Sequence, residues 1–422
     1  MKRTLAVVAA GAVVVLAGLP GCGPAGPNLP FPHHTTLSSG TLRVTNRTQA
    51  VQDGDVRRAY DDWKDNYLVA AGSAGGNPLY RVAMGGPLHA RHHETTSESQ
   101  GYGMIITAYL AGHDKASQAV FDGLWRFSRQ HTSEIDPRLM GYLVPEQGDT
   151  DNSAFDGDAD IAYGLMLADA QWGSDGPIDY AAEAQTVLDG VLQSTIGPQS
   201  RLPELGDWVA TNGSQYNQWT PRTSDLMPAH FKAFARFTGD STWATVVTKS
   251  KQAVTGLQAA YAATTGLLPD FTVRKNATGA ALKPAPAGFL EGPHDGAYYY
   301  NALRDPWRIG TDAAISGDAT SRAQVRKVSE WLRAATGGAP ANVEGGYKLD
   351  GTLIADYFSI AFAAPFAVAA MQGPAGTAPQ KWLNDLYSSV RNTREEYYED
   401  SVALLSMLVV TGNYWDPTIE EA

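Results

Sequence analysis

Cysteine is nearly absent from this sequence: Cys22 is the one cysteine in 422 residues, so no disulfide can form within the chain. Basic residues are outnumbered as well. Lys and Arg total 32 against 44 Asp and Glu, a formal net charge of −12, which argues against a nucleic-acid partner because phosphate backbones select a basic face. No fixed period runs through the sequence, which disfavours an α-solenoid. After the first 48 residues no Pro/Gly-rich linker interrupts the chain, and the remainder, roughly 370 residues, reads as one domain with a closed architecture.

The N-terminus carries a different signal. Lys2 and Arg3 precede an apolar run over 5–19 that is too short to span a bilayer comfortably and is followed by small residues, the layout of a secretory signal. The run ends Leu19-Pro20-Gly21-Cys22, which resembles the Leu-x-Gly-Cys box of bacterial lipoproteins. Residues 1–21 are therefore expected to be a lipoprotein signal peptide. Cys22 is expected to carry the lipid anchor on the outer face of a bacterial membrane, although an ordinary cleavage site with an incidental cysteine has the same look. Residues 22–48 begin with Gly23-Pro24-Ala25-Gly26-Pro27 and read as a tether. Residues 49–422 are then the folded domain, expected to act as a monomer.

Within that domain apolar residues recur at helical spacing in about twelve segments, near 52–67, 99–111, 114–129, 157–172, 178–195, 225–238, 241–262, 301–316, 319–336, 354–372, 379–390 and 398–412. Several end at a glycine closely followed by a capping residue: Gly112 before Asp114, Gly239 before Asp240, Gly317 before Asp318. Such junctions fold a helix back on its predecessor. Long Gly/Pro/Asn-rich connections alternate with them, and six helical hairpins joined by long loops predict an all-α (α/α)6 barrel with a site on the long-loop face.

Two clusters stand where helices begin. Thr96-Ser97-Glu98-Ser99-Gln100-Gly101-Tyr102-Gly103-Met104 places two glycines inside a helix, at about 1 kcal/mol each relative to Ala, so a close neighbour or ligand is expected there. Glu98 alone reads equally well as a charge favouring the helix dipole. In Phe155-Asp156-Gly157-Asp158-Ala159-Asp160 three carboxylates in five residues repel one another and cannot all be caps. Calcium is disfavoured because the helix starts at once and the loop-end Glu of an EF-hand is missing. No metal and no cofactor is expected.

Together the two clusters resemble glycoside hydrolase family 8, whose signatures run Ser-Glu-Gly-Gln-Gly-Tyr-Gly-Met and Ala-Ser/Thr-Asp-Gly-Asp-x-x-Ile-Ala. Further matches are Tyr60-Asp61-Asp62-Trp63-Lys64, Ser224-Asp225-Leu226-Met227-Pro228, Pro306-Trp307-Arg308-Ile309 and Tyr397-Tyr398-Glu399-Asp400-Ser401. Phe155 and Ser99 depart from the pattern without removing a carboxylate. The resemblance implies an inverting, endo-acting hydrolase of a β-1,4-linked polysaccharide, with Glu98 as general acid and Asp156 at the sugar of the cleavage point. Asp158 and Asp160 are read as support for the loop and helix start, with Asp158 also a candidate for substrate contact.

An Asp that serves as base in many members is Asn301 here, and an amide cannot take a proton from water at neutral pH. A subgroup resembling the Bacillus chitosanases has this Asn and a Glu from the preceding loop. Glu291, ten residues earlier in Phe289-Leu290-Glu291-Gly292-Pro293-His294-Asp295, is the implied base and Asp295 the fallback. Tyr300, Asn301 and Arg304 are expected to bind sugar hydroxyls or orient water. Trp208, Tyr216 and Trp219 are candidate stacking platforms, with core packing an equal reading. The expected substrate is a cellulose-type or mixed-linkage β-glucan, chitosan being the alternative; a lipoprotein that binds glycan without cutting it is the rival of another class.

Overall fold

The computed structural model describes residues 26–145, 151–274 and 281–419; the expected signal peptide and Cys22 lie outside them. Among the described residues there are twelve α-helices: α1 (Gln49–Tyr67), α2 (Ser97–Tyr109), α3 (Ser117–Gln130), α4 (Phe155–Trp172), α5 (Tyr180–Ser194), α6 (Pro228–Thr238), α7 (Thr242–Tyr261), α8 (Asp305–Ser316), α9 (Ala319–Ala335), α10 (Ile360–Ala370), α11 (Thr377–Val390) and α12 (Tyr397–Val410). The even-numbered helices close a ring, each packing on the next and α12 packing back on α2. Every odd-numbered helix lies outside this ring, against its inner neighbour. This is the expected (α/α)6 barrel.

Residue choice explains the two layers. Every residue of α10 is buried and every residue of α2 except Glu98, so these inner helices are enclosed on all sides. An outer helix such as α9 buries a single stripe, Ser321, Gln324, Val325, Val328, Ser329 and Leu332, at the three-and-four spacing of one helical face. Hairpin junctions use the anticipated residues: Gly239 and Gly317 close α6 and α8 in the left-handed region, at φ 69° in both, and the Asp318 carboxylate accepts from Ser321 N–H at the start of α9.

Helices α8 and α10 start furthest behind the periodicity. Helix α8 begins at Asp305, after a 3-10 turn over Ala302–Arg304, because Pro306 has no N–H to offer the Ala302 carbonyl. Helix α10 begins at Ile360, where Ser359 caps the first turn and Glu395 accepts from Ile360 N–H. The segment before it stays irregular and presents Tyr357, 41 % exposed.

The tether expected over 22–48 is corrected from Asn28 onward. This stretch is strapped across the barrel end opposite the helix N-termini that carry Glu98 and Asp156. Backbone N–H groups of Asn28, Phe31, Thr35, Ser38 and Leu42 donate to carbonyls of Gln171, Ala111, Gly412, Ala314 and Met371, at the C-terminal ends of α4, α2, α12, α8 and α10. Terminal helix carbonyls have no partner within their own helix, and an extended strand can serve five helices in turn. Phe31 and Val44 are each 6 % exposed and belong to the main core.

Candidate active site

The site forms where α2 and α4 cross. A Cβ on Gly101 would lie 2.7 Å from the Asp160 Cβ, and one on Gly157 would lie 2.5 Å from the Ser97 backbone carbon. Both glycines are thus spaces through which one helix touches the other, the close approach anticipated for Gly101. Thr96 caps α2 by accepting from Ser99 N–H, and the Ser99 hydroxyl accepts from Thr96 N–H in return, so the serine standing where the pattern has glycine completes a capping box. Phe155 is fully buried, with its ring 6.1 Å from that of Phe231 on α6.

Glu98 and Asp156 share one guanidinium. Arg304 Nη1 donates to Glu98 Oε2 and, at 2.7 Å, to Asp156 Oδ2. A second arginine, Arg222, reaches the same Asp156 oxygen at 3.0 Å. Burial raises both carboxyls, but Asp156 faces two arginines and is held well below the usual carboxylate range. Glu98 is pushed up to about 7 by burial, against the pull of Arg304, with the Asp156 charge adding to the rise. The pair thus separates into an ionised carboxylate and a carboxylic acid that keeps its proton near neutrality.

Linked to this cluster through Arg222 and Asn301 is Glu291, its side chain 50 % exposed. Its Oε2 accepts from Asn301 Nδ2 at 2.8 Å, and its Oε1 lies 3.5 Å from Arg222 Nη2. The loop that carries it is tied by Asp295, whose carboxylate accepts from the backbone N–H groups of Leu290, Glu291 and Gly292 at 2.7, 3.1 and 2.9 Å. Asp295 is only 3 % exposed and both its oxygens are engaged, so this fallback candidate for the base holds the loop. Beside Glu291 a hollow of about 370 Å³ is lined by Tyr142, Trp208, Arg222 and Leu290.

A buried carboxylic acid and a solvent-open carboxylate, joined through Arg304 and Asn301, are the pair of groups a glycosidase uses. The model of glycosyl hydrolases family 8 matches residues 29–412. The chain belongs to this family. A β-glucanase of Niallia circulans is 40 % identical over 93 % of this chain and 92 % of its own. An endoglucanase of Bacillus sp. strain KSM-330 is 39 % identical over 93 % and 83 %. The apo structure of a β-1,3-1,4-glucanase from Paenibacillus sp. X4 superposes with a TM-score of 0.87 at 39 % identity, covering 93 % of this chain and 100 % of the other. The protein is therefore a glycoside hydrolase, and the reading of a glycan-binding lipoprotein without catalysis, which rested on Asn301, is set aside.

Within this family 8 hydrolase the other expected residues divide. Trp208 lines the hollow beside Glu291, and Tyr216 braces the same loop by donating its hydroxyl to the Phe289 carbonyl at 2.8 Å. Trp219 does not join them: it is 8 % exposed, lies 4.6 Å below the Arg274 guanidinium and faces a separate hollow with Lys249 and Leu257. Asp158, a candidate for substrate contact, is 1 % exposed and accepts from Met140 N–H at 2.8 Å, so it fastens the loop before α4. Asp160 accepts from Arg308 and, at 2.9 Å, from His230. The three carboxylates of the run thus face separate partners, and among the described residues no group of three His, Cys, Asp or Glu could hold a metal.

Arg304, expected at sugar hydroxyls, is 1 % exposed, and its guanidinium is taken up by Glu98, Asp156, Ser224 and Asn301. Tyr300 is half-buried; its hydroxyl lies 3.0 Å from that of Tyr357 and its carbonyl accepts from Tyr398. Two participants escaped sequence reasoning. Arg222 and Asp270, the latter accepting from the Tyr299 and Ala302 N–H groups beside Asn301, sit in loops without periodicity, and neither a lone Arg before Thr223-Ser224-Asp225 nor a lone Asp after Pro269 carries a signal of its own.

Proposed function

We propose that this hydrolase is an endo-acting β-glucanase that cuts internal β-1,4 bonds of a cellulose-type or mixed-linkage glucan by single displacement with inversion. Glu98 protonates the leaving glycosidic oxygen, Glu291 takes the proton of the attacking water, and Asp156 holds the sugar ring at the cleavage point. The observation that carries this reading is the contrast between the two glutamates: one closed in and protonated to about pH 7, the other open to solvent and fixed by Asn301 and Arg222. No hydrogen bond joins them. Inverting enzymes keep their carboxyls about 6.5–9.5 Å apart so that a water fits, against about 5–5.5 Å for retaining ones, so the Glu98–Glu291 separation in an oligosaccharide complex tests the single-displacement reading. The substrate assignment is supported by the β-glucanase and endoglucanase names of relatives at 39–40 % identity.

The test is reducing-sugar release from lichenan, carboxymethylcellulose, chitosan and xylan in parallel. Cleavage of lichenan or carboxymethylcellulose with an early fall in viscosity is expected. Release from chitosan alone would replace the glucan by a glucosamine polymer in this reading.

The protein is further proposed to be a secreted monomer anchored at the membrane through Cys22, on the strength of Lys2, Arg3 and the apolar run before Leu19-Pro20-Gly21-Cys22; two acyl chains hold stably where one binds marginally. Labelling with a palmitate analogue should mark the wild-type protein and not Cys22→Ser. Absence of label on both would make it an ordinary secreted enzyme.

A further inference from the structure

Asn301 was expected to bind sugar or water, yet it is 7 % exposed and its amide is engaged at both ends. Arg304 Nη2 donates to Asn301 Oδ1 at 3.1 Å, and Asn301 Nδ2 donates to Glu291 Oε2 at 2.8 Å. The sense of the amide is dictated by its neighbours. Turned over, it would set its oxygen against the Glu291 carboxylate and its NH2 group against a guanidinium.

Behind it, Asp270 accepts from the backbone N–H groups of Ala302 and Tyr299 at 2.7 and 3.0 Å, which fixes the turn that carries Asn301. Since Arg304 Nη1 also donates to Glu98, an unbroken hydrogen-bonded path runs from Glu98 through Arg304 and Asn301 to Glu291.

We infer that Asn301 is a positioning residue: with Arg304 it sets where the Glu291 carboxylate stands relative to Glu98, and it touches neither the attacking water nor the sugar. Glu291 needs such a holder, because it sits half-exposed on a loop and a long side chain there samples many rotamers. Only an amide suits this path, with an acceptor for the arginine and a donor for the glutamate. An aspartate at 301 would satisfy Arg304 and repel Glu291.

The inference rests on Glu291 being the base, and the test keeps the two apart. Asn301→Ala is expected to lower kcat by about 100-fold, the scale of a displaced catalytic group, with KM within about threefold and cellotetraose affinity by calorimetry unchanged. In a Glu291→Ala background, adding Asn301→Ala should alter azide-dependent turnover, and residual hydrolysis in water, by less than about twofold, since effects that run through one residue do not add. A further tenfold loss in that background, or weakened cellotetraose binding, would mean that Asn301 meets the water or the sugar itself. Restoration of hydrolysis by Asn301→Asp in the Glu291→Ala background would equally overturn the inference, because position 301 would then reach the water. Full activity of Glu291→Ala alone would instead remove the base assignment.

Discussion

A Glu98→Gln variant is expected to lose about 10³- to 10⁴-fold in kcat on polymeric glucan, the upper range for a general acid, while keeping its fold and its affinity for oligosaccharides. Glutamine has nearly the shape of the protonated glutamate and can still meet Arg304 through its oxygen, so only the transferable proton is removed. The wild-type pH profile provides a second reading of the same group. Burial and Asp156 raise the Glu98 carboxyl to about 7; below that value it holds the proton the leaving oxygen needs, and above it the proton is gone. Activity should therefore fall on the alkaline side through about pH 7. Steady-state kinetics of the variant settle the matter: a tenth or more of wild-type turnover would withdraw the acid role from Glu98.

Glu291→Ala should be about as damaging on natural substrate, because no neighbour can take over the proton of the attacking water. Asp295 has both oxygens committed to backbone N–H groups of the loop, and Asn301 is an amide. The truncation leaves space next to the hollow lined by Tyr142, Trp208 and Arg222. Azide, a nucleophile that needs no base, can then attack the anomeric carbon directly as Glu98 protonates the departing oxygen. The expected result is partial recovery of turnover with azide, the product being the α-glycosyl azide that inversion of a β-linkage requires. A β-glycosyl azide would point to a double displacement, and a fully active Glu291→Ala beside an inactive Asp295→Ala would transfer the base to Asp295.

The barrel could be read from the chain because it is built from local rules. Helical periodicity, Gly239 and Gly317 at the turns and Asp318 as a cap are consequences of the immediate sequence, and a hairpin of helices leaves little choice of topology. Glu98 and Asp156 were singled out through the resemblance of their two clusters to family 8, for a carboxylate at a helix start reads by itself as a charge favouring the dipole; the glycines beside them did announce the close contact of α2 with α4. The N-terminal strap was not. Its Pro and Gly content forbids regular structure, and its partners are main-chain carbonyls of five helices, which have no signature in a sequence. Trp219 illustrates a second limit: an aromatic in a long loop looks the same whether it faces a cleft or, as here, lies beneath Arg274.

Residue identity along the chain thus determined the helices and their pairing, because each depends on spacing within a few turns, and its resemblance to family 8 pointed to the carboxylates. The protonation of Glu98, the posture of Glu291 and the direction of the Asn301 amide were decided only by the closed ring. Each depends on charges that meet from distant parts of the chain, Arg222 from the loop before α6 and Arg304 from the start of α8, and on the depth at which the barrel buries them. Electrostatic interactions strengthen as water is excluded. That exclusion belongs to the assembled fold and is written at no single position of the chain.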